Sequence, residues 1–129
     1  MRHCIDHYLS FLEGVDSGRV DYDDRNRDPG LETLTGEAGI AVEQIILGLD
    51  GLMRGKVPVG LLVKMDCGGD HIDWQPSTAG RELQFLVSHT VHHFAMVGGI
   101  CRILGVKLED DFGVAPSTLR HRAQLECSG

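Results

Sequence analysis

A chain of 129 residues and 14.1 kDa holds one ordinary core, so residues 1–129 read as a single domain. Twelve Lys and Arg against nineteen Asp and Glu leave a net charge of −7, which repels phosphate backbones and anionic membrane surfaces and argues against a nucleic-acid partner. No segment approaches the roughly 20 apolar residues of a membrane span, and the opening MRHCIDH lacks the apolar stretch of a secretory signal, so the expected compartment is the cytoplasm.

Taken in chain order, Ile5, Tyr8, Leu9 and Leu12 recur at helical spacing and predict a first helix over residues 2–14, ended by Gly14. Residues 15–34 are polar and contain the turn sequence Asp28-Pro29-Gly30, which reads as a long connection. With Thr35 as its N-cap, a second helix follows to about Arg54, carried by Ala38, Ala41, Val42, Ile45, Ile46, Leu49, Leu52 and Met53. Alternation at Val59, Leu61, Val63 and Met65, then Gly68-Gly69, then Ile72 and Trp74 predicts a small β-hairpin that must pack on a helix. The longest apolar period spans residues 79–105, opened by Ser77 and Thr78 and closed by Gly105, with Gly98 and Gly99 marking a close helix crossing or a bend. Beyond Val106, Phe112 and a Pro116-Ser117-Thr118 turn precede a charged, frayed end. The expected fold class is mainly α, with three long helices and a hairpin between the second and third.

The chemistry lies in the histidines. His89 and His93, four residues apart at the centre of the third helix, point the same way and can offer two imidazole nitrogens to one divalent ion. His3 and His7 repeat that spacing on the first helix, so packing of the two helices would converge three or four imidazoles. The competing reading leaves these histidines facing solvent or hydrogen-bonded in the core. Glu82 shares the stripe of His89 and His93 and is a candidate general base, or else an acidic residue complementing the helix dipole. Thr90 stands where a zinc protease motif H-E-x-x-H has its Glu, which excludes that class, and Leu86 precedes His89 where a di-iron Glu-x-x-His pair needs Glu, which argues against a di-iron site. Tyr22, Arg25 and Arg27 on the long connection are candidates to receive an anionic group of a small substrate; the plainer reading pairs the arginines with Asp23, Asp24 and Asp28.

Four blocks carry a family resemblance: RHCIDHY at residues 2–8, YDDRNRDP at 22–29, RELQFLVSHTVHHFA at 81–95 and FGVAPST at 112–118. The chain resembles the DinB-like superfamily of metal-binding four-helix bundles, which includes YfiT-like proteins and thiol-dependent S-transferases. The resemblance implies an up-down helical bundle with His3, His89 and His93 as metal ligands. His7, one turn beyond His3, is left as a fourth ligand, a hydrogen-bond partner of a ligand or a proton carrier, and is a catalytic candidate beside Glu82. The resemblance further implies a divalent ion, with Zn, Ni and Fe not distinguished by imidazole ligands, and a low-molecular-weight thiol activated for attack on an electrophile. The resemblance places a helix before the first histidine, and this chain is expected to lack it. The expectation is a late-assigned start, a homodimer that completes the core, or a truncated product without activity. The alternative function is a non-catalytic metal-binding or stress-associated bundle acting as a homodimer.

Overall fold

The computed structural model describes residues 2–71 and 73–127. They form two compact units, one ending at Leu86 and one beginning at Val87. Among the described residues the chain is mainly helical with a small sheet, and no helix is long and apolar enough to cross a membrane.

The first unit opens with α1 (Arg2–Val15), whose buried face carries Ile5, Phe11 and Val15 together with the polar Asp6, His7 and Ser10. At its end the chain reverses through Gly18, at φ +75°, into β1 (Arg19–Asp21). Gly14 is required there: a Cβ would stand 2.2 Å from the Arg19 carbonyl oxygen, so only glycine lets the helix end pass this close to the strand. The polar connection that follows contains a single helical turn, α2 (Gly30–Thr33), and leads into α3 (Thr35–Arg54). Thr35 is the first residue of α3 rather than its cap; Leu34, with extended backbone, holds the N-cap position without a side-chain hydrogen bond.

The strands correct the expected hairpin. β2 (Leu61–Lys64) pairs antiparallel with β3 (Gln75–Ser77), so the second strand begins after Trp74, and β1 joins β2 in parallel to make a three-stranded sheet in the order β1-β2-β3. Ile72, one of the residues that suggested the hairpin, lies outside the described residues. β3 is an edge strand, where Pro76 can sit without its missing N–H breaking a ladder on the outer side. Trp74 is half-buried beside the sheet, with the Arg19 guanidinium 4.6 Å from its ring centre.

Thr78 caps α4 (Ala79–Ile103) by accepting the Arg81 N–H at 3.2 Å. The core of this unit gathers Phe11 and Val15 of α1, Val20 and Tyr22 at β1, Leu61 of β2, and Ala79 and Leu86 of α4, all 4% exposed or less. A second cluster joins Ile5 to Ala41 and Ile45 of α3. Burying each of the larger side chains is worth about 1.5–3 kcal/mol, enough for these two clusters to lock α1 against both the sheet and α3.

The second unit contains the rest of α4 and α5 (Pro116–Glu126). α4 ends where Gly105 enters the left-handed region at φ +72°; the Val106 N–H reaches the Cys101 carbonyl and the Gly105 N–H the Arg102 carbonyl, satisfying the last turn. Gly98 does not mark a helix crossing: Phe112, from the loop before α5, covers it, and its ring stacks on Phe94 with centroids 5.1 Å apart. The tail read as frayed is the regular helix α5, started by Pro116 in its first turn.

Candidate metal centre

Tyr22 is placed by the sheet. Its N–H donates to the Lys64 carbonyl, extending the β1–β2 pairing by one residue. The Asp21 carboxylate then accepts the N–H groups of Asp23 and Asp24 at 3.0 and 3.3 Å, while Asp23 accepts the Asp66 N–H at 2.8 Å. These bonds turn the chain sharply after the strand and deliver Arg25 to α1.

Tyr22 is 1% exposed, and its hydroxyl donates to Glu82 Oε2 at 2.9 Å. Ser77 donates to the other oxygen of Glu82, which is itself buried. Burial and the neighbouring Glu82 carboxylate push the Tyr22 phenol far above its ordinary range, so it stays a donor. Both oxygens of Glu82 are thus engaged by hydroxyls of β3 and of the residue after β1. The pair joins the sheet to α4, and Tyr22 lies in the core rather than on a surface that meets a substrate.

One turn of α4 beyond Glu82 the apolar residues Phe85 and Leu86 face α1 and the sheet, and Phe85 lies edge-on to His7 with centroids 5.9 Å apart. His89 is the residue one turn further along the same unbroken helix. His3, His7 and His89 each offer one ligand atom, and these atoms all lie within 4.8 Å of one another. Four ligands held tetrahedrally at 2.0–2.1 Å from a zinc-type ion stand about 3.3 Å apart. The donor set suits a divalent transition ion.

Within α1, the rings of His3 and His7 meet edge to face at 4.5 Å, as i,i+4 neighbours on a helix should. His7 is 4% exposed and also lies edge-on to Tyr22 at 5.2 Å. His93, which the family resemblance pairs with His3 and His89, packs its ring against His89 at 4.6 Å, while His7 takes a place in the convergent group. His92 is exposed.

The arginines part company. The Arg25 Nη1 donates to His3 Nδ1 at 2.8 Å and lies 3.4 Å from His7 Nε2. Arg25 makes no ion pair among the described residues, so it faces the histidines instead of Asp23, Asp24 or Asp28. Arg27 is exposed, with a left-handed φ of 42°. Asp6, beside His7, is buried; burial raises its carboxyl above the ordinary range, against the pull of Arg2, Arg25 and Arg27. The contact of Arg25 with the histidines had no signal in the sequence, because it depends on the turn that Asp21 organises.

No protein-family profile matches the chain, and no solved structure matches it. Over 64 residues, 50% of this chain, it is 39% identical to a protein described as FK506-binding protein 5 of Rhizopus delemar. The matched stretch covers 17% of that protein's length.

Proposed function

We propose that this protein binds a divalent transition-metal ion through His3, His7 and His89, and that the ion serves a DinB-like reaction in which a low-molecular-weight thiol attacks an electrophile. The observation that carries the reading is the approach of three imidazole donor atoms, from two helices, to within 4.8 Å. The four sequence blocks that resemble DinB-like proteins support the finer part of it. With three protein ligands a coordination position is left for an incoming group, the arrangement of catalytic rather than structural sites. When bound, the ion would supply the positive charge that favours a thiolate over a thiol near neutral pH.

The side chains around the ligands have separable tasks. The cluster of Phe11, Leu86 and their neighbours holds α1 against the first turns of α4. Phe85 and Tyr22 wall His7 on two sides and keep water from it. His93, against His89, is the candidate to orient His89. Glu82, engaged by Tyr22 and Ser77, holds the framework, which leaves His93 as the group placed to move a proton.

Isothermal titration of the metal-free protein with Zn2+ and Ni2+ tests the centre. We expect one ion per chain and at least tenfold weaker binding in His7→Ala and His89→Ala; unchanged binding in both variants overturns the ligand assignment. Thiol consumption by the loaded protein, measured with small thiols and an electrophilic acceptor, tests the transferase part. A second reading, a metal-binding homodimer without turnover, is favoured by Ile40, Ile46, Leu47 and Met53 of α3, which are 58–83% exposed. Metal binding without turnover, with a dimer by light scattering, would select it.

A further inference from the structure

We propose that Arg25 sets the affinity of the metal centre by occupying, in the metal-free protein, the same imidazole lone pairs that the ion takes. The inference rests on the metal-binding reading above and concerns α1 and the connection after β1.

A guanidinium has only donors and is always charged, so each ring nitrogen it faces must carry a lone pair. A neutral imidazole has one such nitrogen. His3 Nδ1, at 2.8 Å from Arg25 Nη1, and His7 Nε2, at 3.4 Å, are therefore the lone-pair atoms in this arrangement, and their partner nitrogens carry the protons. A divalent ion needs those lone pairs. It cannot share them with a cation, and the like charges repel at such a distance. Metal entry and the Arg25 contact thus exclude each other.

The surroundings suit an exchangeable contact. Arg25 has no carboxylate within ion-pair distance among the described residues, and its Nε is buried without a hydrogen-bond partner. The backbone is anchored at Asp21 and Asp23, short of Arg25, so the side chain can leave without undoing the turn. Leaving costs chiefly the bonds to the two histidines. Those same bonds hold the two rings facing one another.

Zn2+ titration of wild type, Arg25→Gln, Arg25→Lys and Arg25→Ala, each metal-free, separates the possibilities. A charge-assisted hydrogen bond of this kind makes the expected gain about tenfold or more in zinc affinity for Arg25→Gln and Arg25→Ala. Arg25→Lys, which keeps the charge but loses the planar fork, should fall between them and wild type. Circular dichroism of the metal-free variants verifies folding, and Arg25→Gln, which retains most of the side chain's length, carries the test if Arg25→Ala does not fold. If wild type binds zinc and Arg25→Gln binds it no more tightly, the role of Arg25 is overturned while the metal centre stands. Zinc binding by none of the four proteins overturns the metal centre, and this inference with it.

Discussion

Asp21 shows how one carboxylate can position a site it does not belong to. Its Oδ1 turns the chain after β1, and its Oδ2 accepts the Lys64 Nζ at 2.8 Å. Burial alone would raise its carboxyl, but the Lys64 bond and the N–H groups of Asp23 and Asp24 outweigh it and hold the group below the ordinary value of 3.8. Lys64 is correspondingly raised above 10.5, chiefly by its bond to Asp21. A lowered carboxyl stabilises the fold above pH 3.8, and that contribution is lost as pH falls through the lower folded value. The raised ammonium stabilises the fold below pH 10.5 and loses its contribution as pH climbs past its folded value. Asp21→Asn should therefore lower the urea midpoint at pH 6, and the gap to wild type should narrow by pH 3; a gap independent of pH would refute this. The effect is small because both groups are partly solvated.

Helix α4 and its following loop carry two glycines with opposite needs. Gly113 sits at φ +73°, and a Cβ there would stand 2.6 Å from the Ala95 amide nitrogen, so both its backbone conformation and its close approach to α4 demand glycine. Gly98 is helical, and an added Cβ would meet Phe112 at 3.5 Å, an ordinary contact. Gly113→Ala should cost about 1–3 kcal/mol, while Gly98→Ala should be neutral or stabilise by up to about 1 kcal/mol through helix propensity, read from denaturant melts. Equal effects in the two variants would refute the assignment. The helical period of residues 79–105 foretold α4, and the glycine at 105 foretold its end. That Gly98 serves a loop aromatic was not legible, because Phe112 lies fourteen residues away and reaches α4 only through the turn at Gly113.

For the protein as a folding unit, metal binding and stability are one equilibrium. An ion that binds only the folded chain stabilises it by about 2.7 kcal/mol at a free concentration of a hundred times its dissociation constant. Saturating Zn2+ should raise the melting temperature by several degrees, excess EDTA should return it to the metal-free value, and His7→Ala should abolish the shift. A melting temperature indifferent to zinc in wild type would count against binding to the folded state. Because His7 is buried in α1 between Tyr22 and Phe85, its substitution also opens space in the core, so the comparison that matters is the zinc-induced shift and not the melting temperature itself.

Periodicity alone identified α1, α3 and α4, because amphipathic spacing is a local property that survives without knowledge of neighbours. It also singled out both histidine pairs, since four residues is one helical turn whatever the turn packs against. The parallel pairing of β1 with β2 escaped it: a three-residue strand has too few alternations to signal, and parallel partners lie far apart in sequence. For the same reason only the tertiary structure could send Tyr22 to Glu82, sixty residues away, and Arg25 to His3 and His7. The sequence set which side chains could do chemistry; which of them meet depended on the packing of α1 against the sheet and the first turns of α4, where distant apolar residues must be buried together.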